Sequence, residues 1–188
     1  MGSMTREQIL EKAAQGESFN GADLTEADLS YTNLKNCDFS GAILANAHFQ
    51  NANLEHANFS NADIQKAFFF GANLKKAVFT GAKLQGINLQ DSNLEGADFH
   101  DTDLSGVSLF GAHLDNADLH GAVLKGAKLK RASLVGANLS GADLSGTHLQ
   151  RAVLKNANLT GVTCENTKMK NADLEGASYS EQDLEGCI

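Results

Sequence analysis

Apolar residues in this chain recur with a period of five. Leu or Phe, with few replacements, occupies every fifth position from Phe19 to Leu184, thirty-four centres with no insertion or deletion, and the residue two places earlier is almost always small. The run Gly121-Ala-Val-Leu-Lys-Gly-Ala-Lys-Leu-Lys130 shows the pattern. Neither standard element accommodates it. Five residues turn about 140° on a helix, which scatters the apolar positions around the circumference. In a flat strand an odd step sends successive centres to opposite faces. The chain must therefore turn once per pentad. A small residue and a centre, such as Ala137 and Leu139, then point inward together from one short extended piece. Gly or Asn commonly stands two residues after the centre (Gly121, Gly136, Gly141, Asn156), where a corner needs a permissive backbone. Proline is absent, as suits a wall of continuous backbone pairing.

The phenylalanines give the number of pentads per coil. Phe19, Phe39, Phe59, Phe79 and Phe99 are spaced by twenty, so four pentads close a coil and these rings form one column. Asp23, Asp63, Asp103, Asp143 and Asp183 recur every forty, with Ile43, Lys83, Val123 and Thr163 between them. Coils in a parallel ladder lie ~4.8 Å apart, where two like charges in water repel by roughly 0.9 kcal/mol, and alternation avoids that cost. The pattern predicts about 8.5 coils of twenty residues and a rod roughly 40 Å long.

Segments such as Ala142-Asp-Leu-Ser-Gly146 and Ala157-Asn-Leu-Thr-Gly161 resemble the pentapeptide-repeat proteins, over the whole stretch from Phe19 to Leu184. The loop-free, Gly/Ala-rich consensus with a helix before it is most similar to cyanobacterial members, one of which acts in cell-differentiation signalling. The resemblance implies an all-β fold, a right-handed quadrilateral parallel β-helix. Departures are mild: Cys164 and Met169 stand at two centres, Tyr179 ends the Phe column, and Ile87, Val107 and Val162 crowd the small position.

Such a rod is quasi-one-dimensional and needs its ends covered. Thr5 and Gln8 fit a capping box, and Ile9, Leu10, Ala13 and Ala14 form an apolar stripe before Gly16, which predicts a short capping helix within 5–16. Residues 17–188 form one domain, and Met1–Ser3 read as an expression remnant. After Leu184 only four residues remain, so the far end is expected to expose the edges of Leu174, Tyr179, Leu184 and Ile188. Unpaired strand edges invite association, and end-to-end homodimerisation there is expected, as in some relatives. Cys37 and Cys187 fall at small inward positions and Cys164 at a centre, so all three read as small core residues. No signal peptide or long apolar run is present, and a cytoplasmic location with no membrane association is expected.

The net charge is −8, but a twenty-residue coil sorts it by face. The face of the Phe column carries Asp38, Asp98, Asp101, Asp118 and Glu181 without a Lys or Arg. The second, centred on Leu24 and Leu44, is acidic, and the fourth is mixed. The third, centred on Leu29, Phe49 and Phe69, carries Lys128, Lys130, Arg131, Arg151, Lys168 and Lys170 against Asp28 and Asp91. On that same face Phe68, Phe70 and Phe110 must point outward, an apolar strip running into a basic strip.

Nothing in the sequence supports catalysis. A tube filled with Leu, Phe and Ala has no cavity in which to perturb a pKa or exclude water, and no catalytic residue or cofactor is assigned. His100 and His120 share a column on adjacent coils beside Asp98, Asp101 and Asp118, but they lie on an open wall rather than in the closed shell of a structural metal, so no metal is expected. The favoured function is a rigid, non-enzymatic interaction module presenting flat faces to an unknown protein partner. The alternative, which the resemblance suggests, is DNA mimicry: binding to a type II topoisomerase such as DNA gyrase and modulation of quinolone sensitivity. The basic run from Lys128 to Lys170 interrupts the acidic surface that mimicry requires. Nucleic-acid binding by the six cations is not expected, because the chain is acidic overall and no stacking array accompanies them.

Overall fold

The structure is a computed structural model that describes residues 4–187. It begins with helix α1 (Arg6–Ala14), whose capping box is complete. Thr5 Oγ1 accepts from the Gln8 amide, and Gln8 Oε1 accepts from the Thr5 amide. Ile9 is fully buried. The Arg6 guanidinium donates to the carbonyls of Asp28 and Ser30 at 2.8 Å each, which ties the helix to the first coil.

From there the chain winds as a square tube. Single-residue parallel bridges join positions twenty apart, from Asp23↔Ile43 to Asn158↔Ser178, so four pentads make one coil. The pentad Ala97–Asp101 shows where five amides go. Ala97 N–H closes the corner to the Leu94 carbonyl at 3.0 Å, and Asp98 N–H reaches back to Ala77 at 2.9 Å. Phe99 and Asp101 N–H reach forward to Asp118 and His120, at 2.8 and 2.9 Å. The fifth amide, of His100, has no backbone acceptor and donates to Asp98 Oδ1 at 3.1 Å. Asp23, Asp38, Asn58, Asp63, Asn73, Asn138 and Asp143 cap the amide two residues on in the same way. An Asp or Asn before the centre therefore supplies the acceptor that the wall lacks. Asparagines there also bond one another along the rod, as Asn33, Asn53, Asn73 and Asn93 do at 3.0–3.3 Å.

Each corner places the residue two after the centre in the left-handed region. Glycine takes it at no steric cost, whereas Glu26, Tyr31, Lys66, Lys76, Arg131 and Arg151 hold it at φ 56–63°. Inside, the Phe column stacks as expected, with centroids 5.0, 5.2, 5.2 and 4.5 Å apart from Phe19 to Phe99. Phe49 and Phe69 stack beside it and meet Phe59 edge to face. Hydroxyls at the small position are satisfied within the wall: Thr32, Ser92 and Thr102 donate to the carbonyl of the preceding centre.

The C-terminal end differs from the sequence expectation. The repeat stops at Tyr179, and the following residues form a 3-10 helix (Gln182–Leu184) that folds across the last coil. Asp183 Oδ1 accepts from Gly161 N–H at 2.9 Å, and the Gly186 carbonyl accepts from Asn166 N–H at 3.0 Å. This segment brings Cys187 to Cys164, and the two form a disulfide with Cα atoms 5.4 Å apart. The reading of all three cysteines as small core thiols is thereby corrected. Cys37 alone is a free buried thiol, its pKa pushed up to about 11 by burial.

Candidate interaction face

The third face is built by the pentads centred on Leu29, Phe49, Phe69, Leu89, Leu109, Leu129, Leu149 and Met169, whose flanking and corner side chains face outward. Toward the N-terminus it is aromatic. Phe68 and Phe70 are 38% and 43% exposed, and Phe68 stacks on His48 with centroids 4.8 Å apart. Tyr31, which the sequence reading did not single out, is 78% exposed on the same face. It occupies a corner position, where the apolar pattern carries no signal of exposure. Phe110 points outward but is half-buried, with the Arg131 guanidinium 6.0 Å from its ring centroid. That ring therefore belongs to the junction between the aromatic and basic strips.

Lys128, Lys130, Arg131, Arg151, Lys168 and Lys170 are all exposed. Among the described residues none of the six makes an ion pair. The fourth face behaves in the opposite way, with Lys35–Glu55, Lys75–Glu95 and Lys155–Glu175 paired coil to coil at 3.0, 2.9 and 2.6 Å. There the Glu95 carboxylate raises the Lys75 pKa, mainly through their hydrogen bond. Off the third face, Lys35, Lys75, Lys83, Lys125 and Lys155 each reach a carboxylate on a neighbouring coil, while Lys66 and Lys76 do not; among the described residues none of the six cations of the third face does.

The first face holds the polar cluster noted in the sequence. The His100 and His120 rings stack with centroids 5.1 Å apart and planes within 3°. Each imidazole Nδ1 lies against its own aspartate, Asp98 Oδ1 at 2.6 Å and Asp118 Oδ1 at 2.9 Å. The hydrogen bond to Asp98 raises the His100 pKa. Burial pushes Asp118 up, but its bonds to His120 outweigh that and leave its carboxyl below the usual range. Asp101 lies two residues beyond Phe99, at the corner.

At the C-terminal end Tyr179 is exposed, and Leu174 and Leu184 are half-buried against the core. Ile188 lies outside the described residues. Among the described residues no helix is long and apolar enough to cross a membrane.

Models of eight-copy pentapeptide repeats match residues 72–109, 102–141 and 137–176, and a model of a pentapeptide repeat region matches 15–89. No curated protein matches the chain. Among solved structures it is similar to HetL, a pentapeptide repeat protein involved in heterocyst differentiation regulation from the cyanobacterium Nostoc sp. strain PCC 7120. Identity is 29%, covering 93% of this chain and 96% of that one, with a TM-score of 0.50. A second Nostoc pentapeptide repeat protein, alr5209, is 31% identical over 50% of this chain and 84% of its own, with a TM-score of 0.46. Trypsin-treated QnrB1, a plasmid-mediated fluoroquinolone resistance protein, is 25% identical over 88% of this chain and 86% of its own, with a TM-score of 0.42.

Proposed function

We propose, from the premise that the chain belongs to the pentapeptide-repeat family and so winds as a right-handed quadrilateral β-helix, that it is a rigid, non-enzymatic module that docks a protein through its third face. The observation that carries this reading is the coincidence on one wall of exposed Tyr31, Phe68 and Phe70 with six exposed cations that pair with no carboxylate among the described residues. Aromatic and arginine side chains are the groups that most often anchor protein interfaces. A partner presenting apolar side chains next to Asp or Glu would bury the rings and neutralise the cations. Arg131 and Arg151 sit at φ 63° and 60°, a conformation costing a non-glycine residue roughly 1–2 kcal/mol, at a position that glycine fills in many other coils.

DNA mimicry fits this face poorly, since the six cations break the acidic surface along one wall. A second association, between copies of the chain, is proposed at the C-terminal end, where Tyr179 is exposed. The proposed compartment is the cytoplasm. In a reducing cytosol the Cys164–Cys187 bond would open, leaving the closing segment held by its hydrogen bonds to Gly161 and Asn166.

The test is affinity capture from native lysate with the wild-type chain and two variants, Lys128→Glu/Lys130→Glu/Arg131→Glu and Phe68→Ser/Phe70→Ser. The expected result is one partner lost from both variants while their thermal stability is kept. Equal capture by all three chains would refute the docking face.

A further inference from the structure

The first face breaks a rule that the rest of the rod obeys. Among the parallel bridges, Asp98↔Asp118 alone pairs two acids; every other bridged aspartate faces a non-acidic residue. No Lys or Arg stands on this face to compensate the pair. Each carboxylate uses Oδ1 for the corner amide and the imidazole, and Asp118 Oδ1 also accepts from Asn138 at 3.2 Å. Among the described residues no donor bonds the Oδ2 of either aspartate, although Asp38 and Asp63 each engage theirs, with Ser18 and Lys83. Beside this uncompensated pair stands a stacked pair of histidines on successive coils.

We propose that Asp98, His100 and Asp118, with His120 as a further donor at the rim, form an open, exchangeable site for a first-row divalent cation of the zinc type. Ligand atoms of Asp98, His100 and Asp118 all lie within 4.8 Å of one another. Zinc places its ligands ~2.0–2.2 Å away, so these half-buried side chains would converge by rotation to hold it. Two carboxylates and an imidazole supply the mixed oxygen and nitrogen set that zinc and its neighbours accept, and they neutralise a 2+ charge where the coil stacking has left two negative charges together. The flat wall that rules out a closed structural site leaves coordination positions for water, which makes binding reversible. A bound ion would lock two successive coils of the first face together.

The fold supplies its own silent substitutions. Asn at 58, 138 and 158 and Ser at 40, 60 and 140 occupy the same columns, and Asn keeps the corner cap. The experiment is calorimetric titration of the full chain with zinc chloride in a non-chelating buffer near neutral pH. It compares the wild type with Asp98→Asn/Asp118→Asn, with His100→Ser and with His113→Ser, a histidine on another face. One zinc per chain is expected, with affinity reduced ~10-fold or more in the first two variants and unchanged in His113→Ser. Melting should rise with zinc in the wild type and in His113→Ser only. The proposal is overturned if the wild type shows no saturable binding, if both first-face variants bind as it does, or if His113→Ser abolishes the uptake.

Discussion

Arg151 is the residue at which backbone strain and function can be separated. It stands at a corner with φ 60°, its amide donating to the Lys170 carbonyl at 3.1 Å, and its side chain pairs with no acid among the described residues. Replacing it by glycine keeps that hydrogen bond and removes a left-handed penalty of roughly 1–2 kcal/mol. Glycine gives back about 0.5–1 kcal/mol through the greater entropy of the unfolded chain. The net expectation is a gain of about 0.5–1 kcal/mol, a rise of roughly 1–4 °C in melting temperature for a chain of this size. Arg131 shares the strain (φ 63°) but also lies over the Phe110 ring, a cation–π contact of about 0.5–1 kcal/mol at an exposed site. Arg131→Gly should therefore be close to neutral. Differential scanning calorimetry of both variants reads the difference, with Lys76→Gly as a control on the fourth face. Arg151→Gly should be more stable than the wild type and bind the captured partner less. A melting temperature that falls with Arg151→Gly, or equal gains from both arginines, would show that the corner strain has been misjudged.

Phe59 stacks on Phe39 and Phe79 and meets Phe49 and Phe69 edge to face, so Phe59→Ala should cost about 3–5 kcal/mol in chemical denaturation. Phe59→Leu should cost far less, because Leu119, Leu139 and Leu159 fill the same column. The Cys164–Cys187 bond closes a separation of 23 residues, which restrains the unfolded chain by ~3 kcal/mol. Reduction, or Cys187→Ser, should speed hydrogen exchange at Gly161 and Asn166, whose acceptors lie in the closing segment, and leave the coils around Phe59 unchanged; uniform protection in both states would contradict this. Asp23, Asp38 and Asp103 are held below the usual carboxylate range, chiefly by hydroxyl donors from Thr25, Ser18 and Ser105. Their folded pKa values are depressed, so their stabilisation is complete above the unfolded value of about 3.9 and is lost as pH falls through the folded values. These three groups leave the melting temperature unchanged down to about pH 5 and lower it below about 4, while His100, whose folded pKa is raised, adds stability as pH falls through the neutral range.

Much of the architecture was legible because one rule, a bulky centre every fifth residue, survives from Phe19 to Tyr179. Phe spacing announced the coil length, and Thr5 with Gln8 announced the cap of α1. The closing segment was not legible. Leu184 and Cys187 fall in phase with the repeat, yet the chain leaves it after Tyr179, so extrapolation placed Cys187 in a wall and missed its disulfide. The role of Asp and Asn where they precede a centre was also hidden, since it depends on which corner amide lacks a backbone acceptor. On the third face the outward Phe68 and Phe70 followed from alternation, but whether the six cations were paired depended on long side chains reaching across coils. The adjacent Asp98 and Asp118 were visible in the sequence; their unbonded outer oxygens were not.

The docking face is tested most directly by a photo-crosslinking amino acid placed at Phe70, and separately at Gln65 on the acidic second face, with each chain irradiated in native lysate. The account predicts a discrete adduct with one protein from position 70 alone, lost when Lys128, Lys130 and Arg131 are changed to Glu. An adduct of equal yield from position 65, or none from position 70 while the partner is still captured, would contradict it.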